Sequence, residues 1–173
     1  MIRKAQEKDI SAINAIYDAL HSRQERNEIF VGWVRGVYPT EDTARKAVMR
    51  GDMFVMDKDG EILAAAVINQ QQVDVYEDGN WEYEADDCQV MVLHTLVVSP
   101  EASRKGLGSE FVSFYEAYAK ENNCDYLRMD TNAGNEVARS LYKKLGYREI
   151  SIVPCVFNGI SGVPLVLLEK YIG

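Results

Sequence analysis

Two stretches of the chain carry residue types and spacings suited to group transfer. The first runs from Val90 to Ser109: an apolar run, then Ser99-Pro100, then Arg104-Lys105-Gly106-Leu107-Gly108-Ser109 opening a helix. A helix start presents unpaired N–H groups and about half a positive charge. Glycines at 106 and 108 let an anion approach the backbone, and Arg104 and Lys105 add charge beside it, so the physics is that of a pyrophosphate cradle. The same pattern also reads as an ordinary glycine-containing strand-to-helix turn with solvated basic residues. Two rival phosphate motifs are excluded. The dinucleotide fingerprint needs a third glycine where Phe111 stands, and no Gly-Lys-Ser/Thr triplet of a P-loop occurs.

The second stretch, Asn135 to Tyr147, places Asn135, Ala138 and Tyr142 on one helical face, at offsets of three and four. Asn135 can cap the helix and also hydrogen-bond a ligand amide, while Ala138 leaves room for a chain to lie along the helix. Together the two stretches resemble the GNAT superfamily of N-acetyltransferases. The glycine turn looks like that family's pyrophosphate-binding motif A, and Asn-x-x-Ala-x-x-Leu-Tyr-x-x-x-Gly-Tyr looks like its motif B. The resemblance is close from Val90 to Tyr147 and looser outside it.

The resemblance implies acetyl-CoA as co-substrate, with no metal. Backbone groups of Leu96, Val97 and Val98 would bind the pantetheine arm as an added strand would. Backbone N–H groups from Arg104 through Lys105, Gly106, Leu107, Gly108 and Ser109 would hold the pyrophosphate. Asn135 and Ala138 would border the pantetheine, and Tyr142 would sit near the thioester sulfur. One position departs from the family pattern: three residues before the first glycine, where Arg or Gln is usual, the chain has Ser103, with arginine displaced to Arg104. The implied activity is transfer of an acetyl group to a primary amine of a small molecule or peptide, by direct attack in a ternary complex. A non-catalytic acyl-CoA-binding or sensor module with the same fold is the alternative.

Acetyl transfer to an amine needs a neutral nucleophile, a donor to the oxygen that gains charge, and a proton for the leaving thiolate. A backbone N–H near Leu96 is the family-like donor. Tyr142 matches the family's general acid, and by its residue type alone it is equally a core aromatic with its hydroxyl at the edge. His94, two residues from the oxyanion donor, is a candidate base, although a lone histidine in an apolar strand is often structural. Asp130, ending the next strand, is a further candidate, and attack relayed by water needs no named base.

The elements that must position these residues follow from periodicity and breakers. Ile2 to Ala5 reads as a strand. Asp9 reads as the cap of a helix carrying Ile10, Ile13, Ile16, Tyr17 and Leu20. A short helix is expected over 29–34, and Thr40 caps another that Gly51 stops. Met53 to Met56 and Ile62 to Ile68 flank the Asp59-Gly60 turn. Val90 to Val98 reads as a strand buried on both faces. A helix marked by Leu107, Phe111 and Tyr115, a strand from Tyr126 to Met129, and a helix with Val137, Leu141 and Leu145 follow. Two last strands, Tyr147 to Phe157 and Val163 to Tyr171, are joined by residues 158–162. The expected fold class is α/β of the mixed α+β kind: a GNAT-like central mixed, mostly antiparallel sheet of about seven strands with about four or five helices. Residues 1–173 read as a single N-acetyltransferase domain.

Composition narrows the partners. A net charge of −8 argues against a phosphate-backbone binder, so no nucleic acid is expected. No segment approaches the ~20 apolar residues of a membrane span, and the start has no apolar run behind its two basic residues. Cys88, Cys124 and Cys155 form no C-x-x-C pair, and reduced thiols fit a cytoplasmic protein, monomer or homodimer. The segment 70–89 holds seven acidic residues and no basic one, together with Tyr76, Trp81 and Tyr83. It reads either as a solvated loop or as a seat for a cationic acceptor. Trp33, Tyr38 and Pro39 are candidates for the acceptor wall.

Overall fold

The computed structural model describes residues 1–102 and 105–173. Seven strands form one sheet: β1 (Ile2–Lys4), β2 (Met53–Lys58), β3 (Glu61–Asn69), β4 (Val90–Val98), β5 (Tyr126–Asn132), β6 (Arg148–Phe157) and β7 (Ile160–Tyr171). Their order is β1-β2-β3-β4-β5-β7-β6, and every neighbouring pair is antiparallel except β4 with β5. Four helices pack on it: α1 (Ile10–Glu25), α2 (Glu41–Arg50), α3 (Leu107–Glu121) and α4 (Glu136–Lys144).

The alternation of side chains along each strand divides the core into two faces. On one face Phe54, Ala66, Leu127, Met129 and Leu168 meet Phe111 and Tyr115 of α3 and Tyr142 of α4. On the other, Val55, Ala65 and Val97 lie under Ile13 and Tyr17 of α1 and Ala44 and Ala47 of α2. The rest of that second face, at β5 and β7, is covered by the acidic segment, which supplies Tyr76 over Val90, Leu165 and Leu167. Arg128 pins the segment from β5: it donates to Gln72 Oε1 at 2.5 Å and to the Tyr83 carbonyl at 3.1 Å, and lies over the Trp81 ring at 4.1 Å. The segment, which includes two short 3-10 turns, therefore packs its apolar residues on the sheet and leaves its seven carboxylates in solvent.

Several local expectations are refined. Residues 29–33 form no helix. Gly32 stands at φ +79°, outside the helical region, and Gln24 captures the backbone groups a helix would use. Asp9 does not cap α1 with its side chain. Its carboxylate accepts from the Gln6 N–H at 2.8 Å and from Arg3 at 2.7 Å, and so ties β1 to the turn before the helix. The last hairpin is tighter than expected, because Asn158 (φ +50°) and Gly159 (φ +77°) make a two-residue turn that lengthens β7 back to Ile160.

The departure that shapes the site is in β4. Val90 to Leu93 pair with Tyr126 to Met129 of β5, and the ladder stops there although both strands continue. Thr95, at φ +52°, turns the chain at a bulge where the β3 register also shifts. Beyond it β4 is bonded to β3 through Val97 and Val98 and leaves its other edge open. Only the first four residues of β4 are fully buried as a group; His94, Thr95 and Leu96 face the gap and are half-exposed.

Candidate active site

A cavity of about 890 Å³ fills this gap. It runs from α4 and the start of α3, past the open edge of β4, to α1 and the 157–165 hairpin. The α3/α4 half is the cofactor-sized wing by its chemistry. Leu96, Val97, Val98, Gly108, Asn135, Ala138 and Tyr142 all line the cavity, as does His94, so the structure brings eight of the expected site residues together. Lys105, Gly106, Leu107 and Ser109 lie further along the same turn, outside the cavity wall, with Lys105 beside Lys58 in a separate shallow depression. Arg104, with Ser103, falls outside the described residues.

Local structure explains the wing. Gly106 sits at φ +78° as the residue before α3, a conformation that disfavours any side chain with a Cβ. Among the described residues no side chain caps α3 at Gly106, so its first N–H groups remain available to an anion. A Cβ on Gly108 would stand 3.1 Å from Leu141 Cδ2, so this glycine permits the close approach of α3 to α4. Asn135 caps α4 through Oδ1, which accepts from the Ala138 N–H at 3.2 Å, leaving its amide nitrogen for a ligand carbonyl. The open β4 edge, the uncapped helix start and the small Ala138 together fit a pantetheine-diphosphate chain.

Three ionisable side chains face the middle of the cavity. Tyr142 is buried, and burial together with the nearby Asp130 carboxylate holds its phenol well above the usual range, so it stays protonated. Asp130 is at the end of β5, where the β4–β5 gap is open. Burial pushes its carboxyl up to about 6, and the Tyr76 phenol, donating to Oδ2 at 2.8 Å, partly offsets that rise by stabilising the carboxylate. His94 is within 3.0 Å of Asn69 Oδ1 and is pushed down to about 4, chiefly by burial, so its ring is neutral near pH 7. Tyr38 touches Thr95 through their hydroxyls and is pushed up to about 12 by burial. A β-branched residue at positive φ is uncommon, and Thr95 lies at the point where the cavity opens.

The far wing is built from α1, the 28–38 segment and the last hairpin. Gln24 organises it: Oε1 accepts from Val31 N–H at 2.9 Å and Gly32 N–H at 2.7 Å, and Nε2 donates to the Trp33 carbonyl at 2.6 Å. A Cβ at Gly32 would collide with the Asn132 side chain, and one at Gly134 would lie 2.5 Å from the Phe30 ring. The segment is thereby seated against the end of β5 and the start of α4. Trp33 and Tyr38 line the cavity, whereas Pro39 is buried beneath them, its carbonyl 3.0 Å from His21 Nε2. Gln24 is a residue that sequence reasoning does not single out, and Tyr76, read there as part of an acceptor seat, instead donates to Asp130. Each stands in a polar stretch of sequence, which does not reveal a partner distant along the chain.

Comparison with known proteins agrees with this geometry. A family model described as "Acetyltransferase (GNAT) family" matches residues 14–147. Over 61 residues the chain is 38% identical to the "Uncharacterized N-acetyltransferase YhfO" of Bacillus subtilis, a stretch that covers 35% of this chain and 41% of that protein. The chain thus spans less than half the length of that relative. Among solved structures, a GNAT-family acetyltransferase of Streptococcus agalactiae superposes with a TM-score of 0.75 at 20% identity, covering 99% of this chain and 94% of the other. The ribosomal-protein-S18-alanine N-acetyltransferase of Escherichia coli gives 0.69 at 18% identity, covering 100% and 94%. At these identities the likeness is one of fold, and it extends to the mixed sheet and its flanking helices. Family model, fold and cavity agree: the chain belongs to the GNAT family of acetyltransferases.

Proposed function

We propose that the protein transfers an acetyl group from acetyl-CoA to the primary amine of a small molecule or peptide in a ternary complex, with Asp130 as base and Tyr142 as acid. The same reading takes residues 1–173 as one N-acetyltransferase domain of the cytoplasm, monomeric or homodimeric. The observation that carries it is that Asp130 and Tyr142 open into one cavity at the free edge of β4. Acetyl-CoA, which the family uses, supplies the activated acetyl thioester when bound.

The chain's own groups divide the work. The free edge of β4 at Leu96 and Val98 pairs with the pantetheine amides, and the first turn of α3 receives the pyrophosphate. Asn135 orients the arm through its side-chain amide. Asp130, ionised above about pH 6, takes one proton from the acceptor ammonium, and the neutral amine then forms the new C–N bond. The Leu96 N–H donates to the carbonyl oxygen as it gains charge. Tyr142 gives its phenolic proton to the sulfur as the C–S bond breaks, the second proton leaves the nitrogen to water as the amide forms, and solvent restores the phenol and takes the proton from Asp130. His94 has too little basicity to compete with Asp130. Being neutral, it does not repel an incoming ammonium.

A coupled assay tests the proposal: release of free thiol from acetyl-CoA, with mass spectrometry of the amine. Thiol release that requires a primary amine, yields the N-acetyl product and falls in Asp130→Asn and Tyr142→Phe supports it. Tight acetyl-CoA binding without acetylation of any amine class would favour the non-catalytic acyl-CoA-binding module instead.

A further inference from the structure

We infer that the acceptor is a monoamine carried on an apolar, aromatic-sized body, and not a polyamine or other polycation. This rests on the acetyltransferase reading and names the substrate class of the same site. Two observations carry it: what lines the far wing, and where the chain keeps its negative charge.

Beyond Asp130 the wing is walled by Leu20, Trp33 and Tyr38 on one side and by Phe157, Ile160 and Val163 on the other. Phe30, 53% exposed, extends the apolar surface to the rim. Such walls release water when an apolar body replaces it, and an aromatic ring buries more surface than any aliphatic side chain. Among the described residues, the charged groups lining the cavity besides Asp130 are Arg23 and Glu28. Glu28 is already engaged, 2.6 Å from Arg26 and 3.8 Å from Arg23. One uncompensated carboxylate remains, enough for one ammonium. A second ammonium on the acceptor would be desolvated among apolar side chains without a counter-charge.

The acidic segment does not supply that counter-charge. Of residues 70–89, Val73 alone lines the cavity. Tyr76 is turned to Asp130, and Trp81 donates to the Tyr76 carbonyl at 2.7 Å beneath the Arg128 guanidinium. Glu82 pairs with Arg148, Asp87 accepts from Gln72, and Tyr83 stacks on Tyr171 at the opposite end of β5. None of the segment's seven carboxylates lines the cavity, so they form no acidic seat for a cation at its wall.

The test sets 2-phenylethylamine and tryptamine against putrescine and spermidine, measured two ways with the full chain. Initial rates with saturating acetyl-CoA should give the arylalkylamines a kcat/KM roughly tenfold or more above the polyamines. Trp33→Ala and, independently, Phe157→Ala should each shrink that ratio while leaving the KM for acetyl-CoA unchanged. Calorimetric titration of the same amines into CoA-saturated protein reads the pocket without the reaction. Arylalkylamine binding without turnover would support the pocket assignment and overturn the acetyltransferase mechanism. Acetylation of spermidine as fast as of tryptamine would overturn the pocket assignment and leave the mechanism intact. The absence of both binding and acetylation of the arylalkylamines would overturn the inference outright.

Discussion

The two wings of the cavity present different surfaces. On the α3/α4 side backbone is left open at the β4 edge by Leu96 and Val98 and at the helix start after Gly106, Gly108 and Ala138 are small, and Asn135 and Tyr142 are the polar side chains. On the α1 side large side chains dominate, with Trp33, Tyr38, Phe157 and Ile160 enclosing the space and Gln24 fixing the segment that carries Trp33. A backbone site tolerates change in the residues that frame it, provided the conformation is kept; a side-chain site changes its ligand whenever one residue changes. One wing is thus suited to a constant co-substrate and the other to a particular acceptor.

If the wings are separable, mutations should divide cleanly between them. Asp130→Asn, at their junction, should lower kcat by about 10²–10⁴, the range for removing a general base, without altering acetyl-CoA affinity in a calorimetric titration. Gly108→Val should raise the KM for acetyl-CoA roughly tenfold while sparing the acceptor KM, because its side chain would press on Leu141 and into the cofactor wing. Gln24→Ala should do the reverse. Losing its three hydrogen bonds to residues 31–33 should raise the acceptor KM by about fivefold, as ~1 kcal/mol of lost positioning would give. An equal rise in both constants for either variant would break the division. The smallest effect belongs to Tyr76→Phe. Its phenol stabilises the Asp130 carboxylate, so without it Asp130 should titrate at higher pH and the acidic limb of kcat/KM should move upward by less than about one unit.

The same contrast decides what was legible in the sequence. Gly106, Gly108, Asn135, Ala138 and Tyr142 were readable because each owes its identity to a local rule: positive φ, close helix approach, a cap, a helical offset. Strand and helix periods likewise gave the seven strands and four helices, apart from residues 29–34, where capture by the Gln24 side chain overrides the apolar pattern. Asp130 was harder to rank against His94, because their basicities depend on burial and on Tyr76, which lies 54 residues away in the chain. The acidic segment was half legible. Its composition suggests solvent, where its carboxylates do lie, while Trp81 is held under Arg128, whose role is invisible until β5 is placed. The open edge of β4 is not encoded as a pattern at all; it follows from Thr95 turning the strand away from β5.

The most direct test of the account is the pH dependence of kcat/KM for wild type and Asp130→Asn with the same primary amine. The carboxyl of Asp130 lies above its ordinary range at about 6, and the ionised form is the active one, so activity should rise with pH through that value in the wild type. That limb should vanish in the variant, leaving only the limb set by the amine itself. A limb near pH 6 that persists in Asp130→Asn would contradict the assignment of the base and place proton removal elsewhere.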